Sequence, residues 1–370
     1  MEDGHRRHVQ FHECETMTET GGSKPVATAG RNSGAERRRR PVFVMGCHRS
    51  GTNLLYDTLL SAGGFAVYRG FLPIYKILIP HFGHPSNPAN RSKIIDTFLR
   101  SKGFARTELQ ASDLSSKLLE NGRSGGDFLR IVMGDIAEHQ GAKRWAVYDP
   151  DSVLHVARIK ADLPDALFVH IIRDGRDVAL SLMKMGGFRP FPWSRQSGGL
   201  LETALYWQWM VRAGKSHGLQ IAADYSEVHY EDLVTEPRPT LAALGEFLDH
   251  DLDYDRIQST RLGRLRESNS SFLDEDSAAK EHPVNRWRER LSRAEVADLE
   301  ALVGPCLQDC GYELTPPAGQ RRLNLRLKCL AAAYPRFLDT KLWLKQNTPV
   351  GRFADLAALE LAEPDGTQNR

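Results

Sequence analysis

Short apolar runs punctuate the chain, and each is followed by a polar stretch with helical spacing. The runs fall near 41–45, 143–148, 166–172 and 225–230. Val42-Phe43-Val44-Met45 is short and β-rich, as an interior strand should be, and Ala166 to Ile172 reads as another buried strand. Apolar positions at intervals of three and four predict helices near 52–62, 92–101, 126–140, 152–160, 175–185, 199–216 and 238–248. Strands alternating with helices predict an α/β fold with a mostly parallel central sheet flanked by helices, in three layers. Ligands of such sheets gather at the carboxyl ends of the strands. Two stretches break the rhythm. Residues 63–90 are rich in Gly and Pro, hold Tyr68, Tyr75, His81 and His84, and suit a mobile cover; residues 187–198 read as a second loop.

The first strand runs into a glycine loop and then a helix. Gly46 and Gly51 bracket the loop, and Thr52 opens the helix. This arrangement aims backbone N–H groups and the positive end of the helix dipole at one spot, where an oxyanion belongs. The nucleotide-triphosphate fingerprint is G-x-x-x-x-G-K-[ST]. The glycines match it and predict a P-loop-like fold, but Thr52-Asn53 stand where Lys and Ser/Thr should be. The missing lysine argues against a metal-bridged triphosphate. Arg49, inside the loop, brings a permanent cation with a planar fork of donors suited to a phosphate ester.

Arg49-Ser50-Gly51-Thr52 after an apolar strand resembles the 5′-phosphosulfate loop of sulfotransferases that use 3′-phosphoadenosine 5′-phosphosulfate (PAPS). The Arg-Ser-Gly-Thr spelling is similar to the bacterial and tyrosylprotein branch. A second motif agrees. Arg173 closes the apolar run at 166–172, and Ser181 follows two turns into the next helix. An arginine at a strand end and a hydroxyl on the following helix resemble the family's 3′-phosphate site. The resemblance implies that Arg49, Ser50, Gly51, Thr52 and Asn53 hold one end of the donor and that Arg173 and Ser181 hold the other, in two separate anion pockets. Arg176 reads as a structural residue paired with Asp177 or a neighbouring carboxylate. Further along, Tyr230-Glu231-Asp232-Leu233 resembles a family strand end whose tyrosine touches adenine. Asn285-Arg286-Trp287-Arg288 is similar to a basic-Trp loop over the nucleotide, which gives Arg286 and Trp287 charge and stacking roles.

The activity so implied is in-line transfer of a sulfuryl group from PAPS to a hydroxyl or amine of an acceptor of unknown class, with no metal. The protein's work is to align the acceptor and neutralise charge on the leaving phosphate. Arg49 and the amides of residues 50–53 suit the second task. The acceptor base departs from the family. The stretch Val67 to Phe71 has no carboxylate where tyrosylprotein sulfotransferases place a glutamate, and Tyr148-Asp149-Pro150 replaces the Lys-Thr-Pro of many bacterial relatives. Asp149, His81 and His84 are the candidates, with Asp149 favoured by its strand end. Two other readings share the scaffold: a non-catalytic nucleotide-binding protein, suggested by the missing glutamate, and a P-loop nucleotide kinase, disfavoured by the missing lysine.

Composition narrows the partners and the compartment. With 370 residues, 41% apolar and 26% charged, the chain is an ordinary globular sequence, and a net charge of +2 speaks against a nucleic-acid coat. No run of apolar residues is long enough for a transmembrane segment. Five scattered cysteines and a leader without an apolar core point to a reducing, cytoplasmic compartment. Cys47, inside the loop, reads as a small packing residue, although a helix N-terminus can acidify a thiol. Residues 1–40 lack apolar periodicity and end in four arginines, and read as a disordered, solvated tail; 41–314 form the core domain, and 315–370 a C-terminal helical extension and tail. The basic amphipathic stretch 321–345 carries Leu323, Leu327, Leu330 and Tyr334 on one face. That face suits a membrane surface, a second copy of the chain as homo-oligomer, or packing on the core.

Overall fold

The computed structural model describes residues 37–185, 199–260, 284–316 and 324–361. The sheet is built from β1 (Val42–Gly46), β2 (Phe65–Ala66), β3 (Arg144–Tyr148), β4 (Leu167–Ile172) and β5 (Tyr225–His229). Their order is β2-β3-β1-β4-β5, and every pairing is parallel. β1 is therefore central. Val42 pairs with Leu167 and Gly46 with Ile171, so β1 and β4 end side by side. A Cβ on Gly46 would lie 2.4 Å from the Ile171 carbonyl oxygen, so only glycine permits that approach.

The two-residue period of a strand divides the core. Val42 and Val44 of β1 join Leu167, Val169 and Ile171 of β4 on one face. Helices α1 (Thr52–Ser61) and Pro237–Leu248 cover that face with Leu55, Leu59, Leu241 and Leu244. Phe43, Met45, Phe168 and Ile172 point to the other face, under Phe128, Val132, Val178, Leu182, Trp207 and Met210. These come from α2 (Gly125–His139), α3 (Gly175–Met185) and α4 (Leu200–Gln220). Two apolar faces explain why β1 reads as an unbroken hydrophobic run and β4 as one interrupted only by His170.

Several expected boundaries shift. The two-residue edge strand β2 and the helix Ala111–Asn121 escape the periodicity, the first through its length and the second because only Leu114 and Leu118 of it are buried. The helix expected from 92 starts at Pro88, where the Asn87 side chain accepts from the Ala89 N–H. Part of the expected cover is core: Tyr68, Leu72, Ile74, Tyr75 and Leu78 are buried in the main cluster. Of the arginine run, Arg37 donates to the Phe247 carbonyl at 2.6 Å, Arg38 pairs with Asp249 at 3.0 Å from an exposed position and Arg40 pairs with Asp224 at 2.9 Å, so these arginines touch the body. The rest of the expected tail, the loop 187–198 and residues 321–323 lie outside the described residues.

The C-terminal helix, α6 (Leu325–Asn347), packs back on the core. Its Leu327, Leu330 and Tyr334 share the inward face, and Trp209 of α4 donates its indole N–H to Asp339 at 2.7 Å. Before it comes α5 (Arg293–Asp309), opened by a capping box between Ser292 and Glu295. Among the described residues no helix is long and apolar enough to cross a membrane.

Candidate active site

Two clusters of charged residues meet at the carboxyl ends of the strands. The first forms around the glycine loop. The first backbone bond of α1 runs from the Leu55 N–H to the Gly51 carbonyl, and no side chain caps this end. The amides that follow Gly51 are thus available to an anion. Of the amides expected at 50–53, that of Ser50 is spent on the Cys47 carbonyl at 3.1 Å. The Ser50 hydroxyl, in contrast, is fully buried and has no hydrogen-bond partner among the described residues. Thr52 is buried, and Asn53 lies exposed on the first turn of α1. Arg49 and Gly51 both adopt left-handed backbone, at φ 70° and 97°. A Cβ on Gly51 would sit 2.5 Å from the Tyr230 ring, so the loop lies directly on that ring.

The second motif is not a separate pocket. Arg49 Nε donates to Ser181 Oγ at 2.8 Å, and Arg173 Nη1 lies 3.4 Å from the Arg49 carbonyl oxygen. The residues expected at opposite ends of the donor share one wall, because the register sets the ends of β1 and β4 beside each other. The Arg173 guanidinium stacks 4.2 Å above the Tyr230 ring and approaches Asp177 at 3.6 Å. Burial lowers the Arg49 pKa, and the nearby charges of Arg173 and Arg286 lower it further. Cations held close together in a half-buried wall raise the positive potential there and favour an anion among them.

Residues 284–316 buttress this wall from outside. The Trp287 N–H donates to Asp177 at 2.8 Å. The Trp287 ring is buried and lies 3.8 Å from the Arg176 guanidinium. Arg176 is structural, as expected, but its partners are Asp174 at 2.7 Å and Glu300 at 2.6 Å rather than Asp177. It also donates to the Glu313 carbonyl at 3.0 Å. Glu231 accepts from the Asp174 N–H at 3.0 Å and from the Tyr312 hydroxyl at 2.8 Å.

The second cluster lies at the end of β3. Asp149 accepts from the Asp151 N–H at 3.2 Å and caps the short 3-10 turn Pro150–Leu154. Asp151 pairs with Lys76 and lies 3.3 Å from His48 Nε2. Burial opposes ionisation of Asp151, but the His48 hydrogen bond and the Lys76 charge outweigh it and hold the carboxyl well below the usual carboxylate range. Asp149 moves the other way. Desolvation and the Asp151 charge push it up to about 6, against the pull of Lys76. One carboxylate is locked as the anion while its neighbour titrates near neutrality. Burial raises the Cys47 thiol well above its ordinary value, which makes it a packing residue. His81 and His84 sit apart from this cluster, His81 Nδ1 lying 3.0 Å from the Ala354 carbonyl and His84 Nδ1 lying 2.8 Å from Ser86 Oγ.

Sequence reasoning missed His48, Lys76 and Asp151. The acid at Asp151 was in view beside Asp149, and His48 stands inside the loop; the local signal was there without a reason to join the two.

The sulfotransferase family profile matches residues 41–254. That span carries the loop, both arginine motifs, Asp149 and Tyr230. Solved structures similar to this chain include the sulfotransferase domain from the curacin biosynthetic pathway (16% identity, 75% of this chain, 100% of that chain, TM-score 0.49). The sulfotransferase domain of the Synechococcus PCC 7002 olefin synthase is similar at 16% identity, covering 75% of this chain and 96% of that one, with TM-score 0.47. Sulfotransferase STF9 from Mycobacterium avium is similar at 16% identity over 75% of this chain and 78% of that one, with TM-score 0.40. No curated protein matches the chain. The chain belongs to the sulfotransferase family, and its activity is PAPS-dependent transfer of a sulfuryl group to an acceptor.

Proposed function

We propose that the arginine wall on a three-layer P-loop-like scaffold is the PAPS site and that Asp149 is the acceptor base. The observation that carries this reading is the junction of Arg49, Ser181 and Arg173, with the buried, unpartnered hydroxyl of Ser50 next along the loop. An unpaired buried hydroxyl on a loop that also carries a cation fits a phosphate oxygen. Arg49, Ser50 and the amides of Gly51, Thr52 and Asn53 would hold the 5′-phosphosulfate. Arg173 and Ser181 would hold the 3′-phosphate. Tyr230, under both Gly51 and Arg173, would edge the adenosine. Arg286 adds charge to the wall, and buried Trp287 acts by holding Asp177 and Arg176 in place.

When bound, the donor supplies the sulfuryl group: its sulfur–oxygen bond to the 5′-phosphate breaks as the bond to the acceptor oxygen forms. Asp149 takes the proton of the acceptor hydroxyl. Arg49 and the loop amides neutralise the charge left on the 5′-phosphate. Asp151, Lys76 and His48 set the Asp149 environment. The loop spelling supports the bacterial and tyrosylprotein branch, and four free thiols among the described residues, Cys47, Cys306, Cys310 and Cys329, support a cytoplasmic setting.

Calorimetry with adenosine 3′,5′-bisphosphate and with ATP tests the site. Bisphosphate binding without ATP binding is expected, and the reverse would end the reading in favour of a kinase. Label transfer from PAPS over an acceptor panel tests the chemistry, and bisphosphate binding with no transfer to any acceptor would favour a non-catalytic nucleotide-binding protein.

A further inference from the structure

A cleft of about 790 Å³ opens between the segment 79–84 and the end of α6. Its walls are the segment 79–84, the helix Val156–Asp162, the end of α6 and the 3-10 turn Pro349–Phe353. The volume is that of a pocket for a small organic ligand.

The cleft's charge is one-sided. Arg158, Lys345 and Arg352 line it, against the single carboxylate of Asp162. Asp162 Oδ2 already accepts from the Tyr75 hydroxyl at 2.8 Å and the Gly126 N–H at 3.2 Å. Arg158 reaches a neutral oxygen, Asn347 Oδ1, at 3.5 Å. Among the described residues none of the three cations forms an ion pair. His81 and His84, expected as candidate bases, lie on this wall instead.

Two links join the cleft to the β3 cluster. Tyr75 on its wall directly precedes Lys76, the partner of Asp151. Lys345 feels both ends: burial lowers its pKa, the Lys76 charge lowers it further, and Asp151 and Asp149 oppose them. Gln346 adds a contact from the same segment, its Nε2 lying 3.1 Å from His155 Nδ1.

We propose that this cleft binds the acceptor and selects acceptors that carry an oxyanion, a carboxylate or phosphate, close to the reacting hydroxyl. The proposal deepens the reading of Asp149 as base and rests on it. Guanidinium groups without carboxylate partners recognise such anions through paired N–H donors. The acceptor's anion sits among Arg158, Lys345 and Arg352, and its hydroxyl extends past Lys345 toward Asp149.

The test uses the full chain saturated with adenosine 3′,5′-bisphosphate. Calorimetry compares 4-hydroxybenzoate with 4-hydroxybenzyl alcohol, and glucose 6-phosphate with glucose. In at least one pair the anion should bind more tightly than its neutral partner by about tenfold or more, and the pair that discriminates tells carboxylate from phosphate. The R158Q/R352Q double variant should erase that preference and leave the neutral compounds and the bisphosphate unaffected. Equal affinities within both pairs, no binding of either anion, or a preference that survives in the double variant would overturn the proposal. The bisphosphate titration keeps the cleft apart from the donor site, and Asp149→Asn keeps it apart from the base, because that variant should lose transfer from PAPS and keep the anion preference. Intact bisphosphate binding with no anion preference removes the cleft assignment alone, whereas failure of bisphosphate binding removes the donor site.

Discussion

The loop side and the β3 side of this site handle charge in opposite ways. Around the loop, cations gather: burial lowers the Arg49 pKa, and the charges of Arg173 and Arg286 lower it further. At the end of β3 the charges are balanced, Asp151 against Lys76 and His48, and the balance leaves Asp149 as the titrating group. A surplus of fixed positive charge suits a place where negative charge arrives and grows. A compensated cluster with one proton to exchange suits a place where a hydroxyl must be deprotonated. On the proposed reading, division of labour between donor and acceptor is expressed as a division of electrostatics.

The largest effect expected from breaking this contrast comes from an arginine that belongs to neither role. Arg176 lies on the loop side but is neutralised by Asp174 and Glu300. Arg176→Ala should cost about 3–5 kcal/mol in urea unfolding, because two buried carboxylates lose their partner. A cost under about 1 kcal/mol would mean that the network is solvated after all. Arg49→Ala should lower kcat for PAPS turnover by about a hundredfold or more while the fold stays intact, as loss of a preorganised charge does. Unchanged turnover would remove Arg49 from the chemistry. Arg173→Gln should show mainly in donor binding, raising the PAPS KM by roughly tenfold with a smaller change in kcat. An effect confined to kcat would place Arg173 on the transferring group instead.

The β3 side is sharpened by pH. With ionised Asp149 as the proposed base, kcat/KM should rise with pH through about 6 and then level off. Asp149→Asn should lose most activity and flatten that limb, and an unshifted limb would assign the titration to another group. The smallest effect is on stability. Because the folded-state pKa of Asp149 is raised, the penalty of ionising it is absent at low pH and is fully felt above about 6. Asp149→Asn should therefore unfold at a higher temperature than the parent at pH 8 and at an equal one at pH 4, as followed by circular dichroism. A Tm difference independent of pH would show that the gain has another origin.

The central strands and both arginine motifs were legible because each is local. A buried strand needs only a short apolar run, and Arg173 and Ser181 share one strand–helix turn. Their convergence with Arg49 was not legible, since it depends on β1 and β4 being neighbours, a fact of topology and not of spacing. The set of His48, Lys76 and Asp151 was hidden for the same reason: its members come from the loop, a π-helical turn at Ile74–Leu78 and a 3-10 turn. Lys76 in particular sits in a segment whose glycines and prolines suggested a surface cover, while its neighbours Tyr75 and Ile77 are buried. The helical face of Leu327, Leu330 and Tyr334 was readable from period alone, but its choice between core and outside partner was not, because an apolar stripe carries no address.

The grip of residues 287–313 on the turn 173–177 bears on how this catalyst can be cut down. The family signature closes at 254, yet the turn that bears Arg173 is braced by Trp287, Glu300, Tyr312 and Glu313 from beyond that point. A fragment trimmed to the signature would cost Arg176 its Glu300 and Glu313 partners and Asp177 the bond from Trp287, leaving Asp174 and Arg173 beside them. The stretch 287–313 therefore travels with the turn it holds, and a shortened chain that omits it gives up the brace behind Arg173.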